Sequence, residues 1–447
     1  MTSATRSSIK AAMRAAMPPR LPFAAFAVSL FVLAGCVRVS IHGDPGAVAP
    51  GAGDIVQAAA AEADAAAAQP TPLRVATYNT SLNDDADGGL VRRLAAGDPA
   101  ARAVATMLQR VHPDLVLLNE FDYDAEGRAA DLFQRDYLER AQRPGLAPLR
   151  YPYRYLAPVN TGVPSGLDLD GNGTIATTGR AAGDDAWGFG LHPGQYGMLV
   201  LSRYPIDTAE VRSFRLLKWS ALPDAARPVD PRARRFFHTD AVWNAMRLSS
   251  KSHWDVPVQT PLGRVHFLVA HPTPPVFDGP EDRNGARNAD ELRLWRAYLD
   301  DAPADRSWLC DDAGRCGGLP AGERFVIAGD MNNDPVDGDG RHDAILALLA
   351  HPRVSAAPAP RSAGAAEAAR LAPAANAAQR GDPAEDTGDF GPKVGDLRLD
   401  YVLPSANLRV LASGVDWPTS DDPDAAAAKA SDHHPVWVDL LLPTRDR

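Results

Sequence analysis

Short apolar runs rich in β-branched residues alternate along the chain with polar and turn-forming stretches. Such runs are typical of buried or half-buried β-strands. The pattern predicts seven strands: LRVATYN (73–79), DLVLLNE (114–120), GMLVLSRY (197–204), VHFLVAH (265–271), RFVIAGD (324–330), RLDYVL (398–403) and VWVDLLL (436–442). Ordered structure is therefore expected to begin near Leu73.

Two longer stretches, 96–111 and 286–300, have helical rather than alternating periodicity. In the second stretch Leu292, Trp295 and Leu299 fall on one face at helical spacing. Strands mixed with helices predict an α/β sandwich, formed as one domain over residues 72–444. An Ala/Pro-rich segment near 355–381 lies between two predicted strands, which favours a surface insertion over a domain boundary.

The amino terminus has the pattern of an export signal. Residues 1–20 are basic and residues 21–34 are apolar, a run too short to span a bilayer, so residues 1–35 are predicted to be a signal peptide. The run ends in Leu33-Ala34-Gly35-Cys36, which resembles the lipobox of bacterial lipoproteins. An ordinary signal peptide with a coincidental cysteine is the alternative. Residues 36–71, rich in Ala, Gly and Pro, are predicted to be a flexible tether.

Export with a lipid anchor at Cys36 implies a cell-envelope protein, in the periplasm or at the cell surface, the outer membrane included. Cys310 and Cys316 are the other two cysteines, and in an oxidising compartment they are expected to pair, with two free thiols as the alternative.

Composition limits the classes of function that the chain can have. At 45% hydrophobic and 23% charged residues, the chain can bury a globular core. The formal net charge of −10 argues against attraction of nucleic acid by the overall field. A local cluster of Arg232, Arg234 and Arg235 leaves a nuclease open. No protein partner is implied.

Polar residues suited to metal or phosphate chemistry stand at the ends or starts of the predicted strands. They are Asn79, Glu120, His271, Asp330 with Asn332, Asp400, and Asp432 with His433. A single acid after a strand is more often a helix cap or a turn residue. A whole set at strand ends predicts one convergent site, because rigid strands hold the adjoining loops in place.

Six segments carry a specific resemblance: VATYN, LLNE, VAHPTPP, AGDMNNDP, RLDYVL and SDHHP. In their residues and order the chain resembles the endonuclease/exonuclease/phosphatase family of DNase I-like, metal-dependent phosphoesterases, in a secreted bacterial lipoprotein branch. The resemblance implies a four-layer α/β/β/α sandwich, with two packed mixed β-sheets flanked by helices. Asn119 replaces the common Gln, and Met331 replaces an aromatic residue; neither change touches a reacting group.

The resemblance also implies a role for each residue of the set. Glu120 would anchor a metal ion, Mg²⁺ or Mn²⁺, with Asn79 and Asp432 as further ligands. His433 would be the general base and Asp400 would orient its ring. His271 would bind phosphate or protonate the leaving group. Asp330 and Asn332 would position the nucleophile and the phosphoryl oxygens.

Two further segments are weaker candidates. RLSSKSHWDVPV (247–258) resembles a stretch of the same bacterial branch, and Lys251, His253 and the nearby Asn244 are candidate substrate-binding residues, with a structural loop equally open. Asp168, Asp170 and Asn172 begin like an EF-hand loop. Gly179 occupies the twelfth position, where Glu is required, so only a looser Ca²⁺ loop or an Asp/Gly turn cluster remains.

The sequence therefore predicts a metal-dependent hydrolase of phosphodiesters or phosphomonoesters that acts outside the cytoplasm by direct attack of water. The alternatives are a nuclease acting on DNA or RNA, and a non-catalytic surface-binding lipoprotein with the same fold. The complete polar set argues against loss of catalysis. A phosphate-ester substrate is the one partner implied, apart from the membrane contacted through the lipid anchor.

Overall fold

The computed structural model describes residues 72–300 and 306–442. The predicted signal peptide (1–35), the tether (36–71) and the lipid-anchor residue Cys36 lie outside the described residues, as do the last two residues of the predicted domain. None of the helices described is long and apolar enough to cross a lipid bilayer.

Within the described residues, strands alternate with helices along the whole chain. The strands are β1 (Leu73–Asn79), β2 (Leu115–Asn119), β3 (Tyr153–Tyr155), β4 (Met198–Ser202), β5 (Arg212–Ser213), β6 (Val229–Asp230), β7 (Arg235–Phe236), β8 (His253–Thr260), β9 (Gly263–Ala270), β10 (Phe325–Asp330), β11 (Gly388–Asp389), β12 (Asp396–Leu397), β13 (Asp400–Pro404), β14 (Arg409–Val415) and β15 (Val436–Leu441). The α-helices are α1 (Gly89–Ala95), α2 (Pro99–Val111), α3 (Arg128–Phe133), α4 (Gly179–Asp184), α5 (Asp240–Ala245), α6 (Arg283–Leu299), α7 (His342–Leu349) and α8 (Ala363–Leu371).

Two large mixed sheets form the centre of the molecule. The first has the order β14-β15-β1-β2-β4-β3, and the second has the order β13-β10-β9-β8-β5. In the first sheet β1 pairs parallel with β2 and antiparallel with β15. In the second sheet β10 pairs parallel with β9 and antiparallel with β13. Each of β1 and β10 therefore has one parallel and one antiparallel neighbour and lies in the interior of its sheet.

The sheets pack face to face over a continuous apolar layer. Val75 and Leu117 from the first sheet meet Trp254 and Phe267 from the second, all fully buried. A second apolar cluster lies under α1, α2 and α3, and a third lies under α6 and α7. The predicted four-layer α/β/β/α sandwich is confirmed.

All seven predicted strands and both predicted helices are present, with ends that differ by at most three residues. Of the strands longer than three residues, the pattern of apolar runs missed only β8 and β14 among the described residues. β8 contains Asp255 and Pro257, residue types that are depleted in strands. The Asp255 carboxylate is buried in the sheet, where it accepts hydrogen bonds from His266 Nδ1 at 2.8 Å and Tyr298 Oη at 2.5 Å. Tertiary partners therefore override the local preference.

The Ala/Pro-rich segment near 355–381 is anchored to the domain. Ser362 caps α8 by accepting a hydrogen bond from the Gly364 amide at 3.0 Å, and its hydroxyl donates to the Trp417 carbonyl at 2.9 Å. Gly364 and Ala365 are buried at this contact, while most other residues of the segment are exposed or half-buried. The predicted pairing of Cys310 with Cys316 is present as a disulfide.

Candidate active site

The carboxyl ends of four strands converge at one edge of the sandwich. Asn79 is the last residue of β1, and Glu120 follows β2. His271 follows β9, and Asp330 is the last residue of β10. Asp400 begins β13 directly opposite Asp330 in the antiparallel register. The predicted strand-end residues are thus brought together because four lie at carboxyl ends of strands, and Asp400 at the amino end of an antiparallel strand, on the same edge of the sandwich.

Glu120 faces the cleft at this edge on a constrained backbone. Its carboxylate accepts hydrogen bonds from Asn79 Nδ2 at 3.2 Å and from Asn83 Nδ2 at 3.0 Å. Burial raises the pKa of Glu120 above its ordinary value, and the neighbouring His433 opposes this increase. Its φ of 55° lies in the left-handed region, where a non-glycine residue costs about 1–3 kcal/mol. Strain of this kind concentrates at functional sites.

Asp330 lies at the centre of the group and is 1% exposed. Its Oδ2 accepts from Asn79 Nδ2 at 3.0 Å and lies 3.4 Å from His271 Nε2 and 3.6 Å from His433 Nε2. Burial raises the pKa of Asp330 to about 7; the charge of Asp400 adds to the increase and that of His433 opposes it. One carboxylate oxygen is therefore shared by an amide and two imidazoles.

Asn79 has a different orientation from that of a simple metal ligand. Its amide nitrogen bridges Glu120 and Asp330, while its Oδ1 accepts from the Ser81 amide at 3.3 Å. In this arrangement the Asn79 amide nitrogen links the two carboxylates, and Asn79 stays a predicted metal ligand at this edge.

The His433 ring is fixed by Asp400. The Nδ1 of His433 lies 2.7 Å from Asp400 Oδ2, and Thr387 Oγ1 donates to the same oxygen at 2.8 Å. Burial by itself lowers the pKa of His433, but the charges of Asp400 and Asp330 outweigh it and hold the pKa well above the ordinary value. With Nδ1 committed to Asp400, Nε2 is the atom that exchanges protons with the cleft.

The second histidine has the opposite electrostatic setting. His271 is 2% exposed, and burial lowers its pKa well below the ordinary value, helped by the positive charges of Lys251 and His433. Its Nδ1 has no hydrogen-bond partner in the described part of the chain. The two imidazoles beside Asp330 therefore have pKa values shifted in opposite directions.

Asn332 and Asp432 complete the predicted set. Asn332 has a φ of 51°, and its amide donates from Nδ2 to the Pro272 carbonyl at 3.1 Å, which joins the loops after β9 and β10. Asp432 is exposed at the cleft wall, with Oδ1 3.4 Å from Ser81 Oγ. Both side chains line the same cleft of about 720 Å³ as Glu120, His271, Asp330 and His433.

A model of the endonuclease/exonuclease/phosphatase family matches residues 76–433, well over half of the chain. The chain belongs to this family. As the family's description states, it comprises endonucleases, exonucleases and phosphatases, which are hydrolases of phosphate esters.

Solved structures of similar fold include other members of the endonuclease/exonuclease/phosphatase family. A family protein from Beutenbergia cavernae is 19% identical, covering 83% of this chain and 72% of its own, with a TM-score of 0.44. Sphingomyelinase C from Streptomyces griseocarneus is 20% identical over 82% and 99% of the two chains, with a TM-score of 0.40. Beta toxin from Staphylococcus aureus, solved with magnesium ions, is 12% identical over 83% and 99%, with a TM-score of 0.38.

A comparison of this chain with curated proteins finds no match.

The acidic edge fits a hard divalent cation by the chemistry of its donors. Ligand atoms of Asp330, Asp400 and His433 all lie within 4.8 Å of one another. Glu120 adjoins this group through Asn79, and Asp432 adds a further carboxylate to the cleft. Carboxylate oxygens are the ligands that Mg²⁺ and Mn²⁺ prefer. A cation would also offset the repulsion among these carboxylates. Glu120, Asp330 and Asp432, which line this cleft beside the two histidines, would hold it.

Of the three residues predicted to bind substrate, one lines a cleft next to the site. Lys251 lies beside Glu120 in a neighbouring cleft. The prediction for His253 is wrong: the ring is fully buried, bonded to Ser249 Oγ at 2.5 Å and the Glu291 carbonyl at 3.1 Å. Asn244 is exposed on α5 and does not line either cleft. His253 and Lys251 are two positions apart, yet the chain turns into β8 between them, so that one enters the core.

The Asp168–Asn172 segment forms a loop in which aspartate side chains accept hydrogen bonds from nearby backbone amides. The Asp168 carboxylate accepts from the amides of Asn172 at 3.1 Å and Gly173 at 2.8 Å. Asp185 joins the cluster and accepts from the amides of Leu169 and Ala176, each at 2.8 Å. Carboxylates of Asp168, Asp170 and Asp185 approach one another closely. Backbone amides donate to Asp168 and Asp185, which agrees with an Asp/Gly turn cluster, and ligand atoms of Asp168, Asp170 and Asp185 lie within 4.8 Å of one another, which agrees with a looser Ca²⁺ loop.

Sequence patterns missed three residues that hold the site together. Asn83 supports Glu120, and Thr387 supports Asp400. Ser431 donates to the Asn79 carbonyl at 2.7 Å and accepts from the His433 amide at 3.1 Å. Asn83 lies four residues after Asn79, and Ser431 is the first residue of SDHHP, so their positions beside the motifs could have predicted both. Thr387 has no local signal, because its position depends on pairing with β12 and the His433 loop.

Asn119, the departure from the family pattern, links the two sheets. Its Oδ1 accepts from the Asp330 amide at 3.2 Å and from Thr77 Oγ1 at 3.4 Å. The side chain is fully buried between β2 and β10. The Asn119 amide therefore fixes the position of the Asp330 backbone relative to β1. The side chain of Asn, although shorter than that of the common Gln, is long enough for both hydrogen bonds.

Proposed function

We propose that this protein hydrolyses phosphate esters with the help of a divalent metal ion, by direct attack of water and without a covalent intermediate. The observation that carries the proposal is the sharing of Asp330 Oδ2 by Asn79, His271 and His433, next to the Glu120 carboxylate. A purely structural cluster has no need of two imidazoles with opposite pKa shifts on one carboxylate.

The residues divide the work of phosphoryl transfer. The Asp400 carboxylate accepts a hydrogen bond from the Nδ1–H group of His433, so the neutral ring, which predominates above its raised pKa, offers Nε2 to the cleft and accepts a proton there as water attacks. Asp330, held by Asn79, orients the nucleophile between the two rings. His271, buried and neutral, binds a phosphoryl oxygen or serves the leaving group through Nε2, the atom that faces Asp330.

Glu120, Asp330 and Asp432 would hold Mg²⁺ or Mn²⁺, which when bound neutralises charge that develops on the phosphoryl oxygens. Such stabilisation contributes several kcal/mol in metal-dependent hydrolases. A Ca²⁺ ion would be held by the carboxylates of Asp168, Asp170 and Asp185, whose ligand atoms lie within 4.8 Å of one another.

The nature of the ester is tested by a substrate panel. The purified protein is assayed against bis-p-nitrophenyl phosphate, p-nitrophenyl phosphate, plasmid DNA, sphingomyelin and phytate, with and without added Mg²⁺, Mn²⁺ or Ca²⁺. We expect turnover of at least one small ester with Mg²⁺ or Mn²⁺ and weak or no cleavage of DNA, because the net charge of −10 repels a polyanion. Preferential DNA cleavage would favour the nuclease alternative. Silence on every substrate by folded, metal-loaded protein would favour the non-catalytic binding alternative.

We also propose that the protein acts outside the cytoplasm, tethered by a lipid on Cys36. The basic and apolar segments before Leu33-Ala34-Gly35-Cys36 and the Cys310–Cys316 disulfide support an exported protein. Expression of the full chain in a bacterium should give a membrane-fraction protein that begins at a lipid-modified Cys36, seen by mass spectrometry. Cys36→Ser should abolish the modification. An unmodified amino terminus upstream of Cys36 in the wild type would contradict the anchor.

A further inference from the structure

A second cleft opens beside the proposed catalytic centre. Its volume is about 510 Å³, and it shares Glu120, Pro274, Val276 and Phe277 with the catalytic cleft. Apolar side chains form much of its remaining wall: Leu169, Ala186, Phe189, Trp219 and Met246. Clefts of about 300–1,000 Å³ hold small organic molecules. The size and position suit a group attached to a phosphate that reacts next to Glu120.

The charged residues of this cleft are mostly positive, although the chain as a whole is acidic. Arg180, Lys251, Arg283 and Arg287 line it, against the carboxylates of Glu120 and Asp184. Since the formal net charge of the chain is −10, an excess of cations at this point is a local feature. Positive charge here favours an anionic occupant.

Lys251 carries the strongest indication of a ligand. The residue is 6% exposed, and its ammonium forms no hydrogen bond or ion pair with another described residue. Burial lowers its pKa, while the charges of Glu291, Glu120 and Asp330 oppose the decrease. The side chain is thus largely buried while its ammonium lines the cleft, where a bound anion would supply hydrogen bonds to it.

The bonds around Arg287 fix this cation without pairing it with an acid, whereas Arg283 forms an ion pair with Glu281. Arg287 is 8% exposed and donates to the carbonyls of Leu248, Trp187 and Arg247 at 2.7–2.9 Å. The buried carboxylate of Glu291 accepts hydrogen bonds from the amides of Ser250 at 2.9 Å and Thr273 at 2.7 Å. These two bonds hold the loop that carries Lys251 against the loop after β9. The positive charges of Lys251 and Arg287 are therefore available in the cleft.

We propose that the second cleft binds the alcohol part of the phosphate ester, and that this part carries a second anionic group, a carboxylate or a phosphate. Lys251 contacts that group and determines specificity, with Arg180 and Arg283 at the cleft wall. The inference rests on the proposed function, because it assigns the reacting phosphate to the neighbouring cleft. The substrate class is then a small, doubly anionic phosphate ester with an apolar or ring-shaped body.

Three matched esters test this class: glucose 1-phosphate, glucuronic acid 1-phosphate and glucose 1,6-bisphosphate. They share one ring and the C1 phosphate ester, and differ at C6, which is a hydroxymethyl group, a carboxylate or a phosphorylated hydroxymethyl group; release of the C1 phosphate is followed for each. We expect kcat/KM to be at least about tenfold higher for one of the two doubly anionic esters than for glucose 1-phosphate. The charged group that is preferred distinguishes a carboxylate from a phosphate site.

The Lys251→Met variant should reduce this preference by about tenfold, the effect of losing one hydrogen bond to a charged group. Arg232→Gln is the matched control, since Arg232 is an exposed cation that does not line the cleft. The control should retain the wild-type preference. Equal kcat/KM values for all three esters, or a preference unchanged in Lys251→Met, would overturn the inference.

Binding calorimetry on the His433→Ala protein separates this inference from the proposed function. The doubly anionic ester should bind more tightly than glucose 1-phosphate, and Lys251→Met should remove the difference. Binding preference without turnover in the wild type would contradict the proposed function alone. Turnover without preference would contradict the second-cleft assignment alone, and absence of both would contradict both.

Discussion

His433→Ala should lower kcat/KM for a phosphate ester by about 10²–10⁴-fold, the range for loss of a general acid–base group. The imidazole is the one ring in the described site that is both fixed by a carboxylate, at 2.7 Å from Asp400, and directed with Nε2 toward Asp330. Alanine removes the proton acceptor and leaves Asp400 short of a partner. Steady-state kinetics measure the effect, and circular dichroism with a thermal melt measures the fold.

His434→Phe is the control for this variant. His434 stacks on Trp417 with ring centroids 4.0 Å apart and does not line the catalytic cleft. Burial lowers its pKa to about 3, so the ring is neutral, and phenylalanine can keep the stack. The variant should retain activity within a few-fold. Wild-type rates in a folded His433→Ala protein would show that another group accepts the proton.

Glu120→Gln should have an effect of similar size through a different step. The substitution keeps the shape of the side chain but removes the negative charge that would anchor the cation. Metal assistance is worth several kcal/mol, and each 1.36 kcal/mol is tenfold in rate, so a fall of about 10³-fold in kcat/KM is expected. The concentration of Mg²⁺ or Mn²⁺ needed for half-maximal activity should rise as well.

Glu126→Gln provides the matched control, because Glu126 lies on the same loop region, is 68% exposed and pairs with Arg128 at 3.1 Å on the surface. An exposed pair of this kind contributes little, so activity and metal requirement should not change. If Glu120→Gln loses activity with an unaltered metal requirement, the carboxylate acts in positioning and not in holding the cation.

The sequence was informative where local pattern and position coincide. Buried strands are visible as apolar runs, and rigid strand ends hold the adjoining loops in place, so the sequence assigned Glu120, His271 and Asp330 to one site. Asp400 and His433 were found through motifs, and the 2.7 Å contact between them agrees with the predicted pairing.

The sequence could not predict the orientation of side chains whose position depends on tertiary packing. His253 and Lys251 look equally suitable for binding an anion, but the start of β8 places one in the core and the other beside Glu120. The role of Asn79 depends on which atom of its amide faces the carboxylates, which the sequence does not encode locally. The second cleft is lined by many separate segments between Glu120 and Arg287, and no local pattern brings them together.

The most direct test of the central claim is to strip the wild-type protein with EDTA, assay it against the best ester of the panel, and then restore Mg²⁺ or Mn²⁺. We predict loss of phosphate-ester hydrolysis on chelation and full recovery on addition of the ion, with no recovery in Glu120→Gln at the same concentration. Hydrolysis that continues unchanged in the metal-free protein would contradict a metal-dependent phosphoesterase.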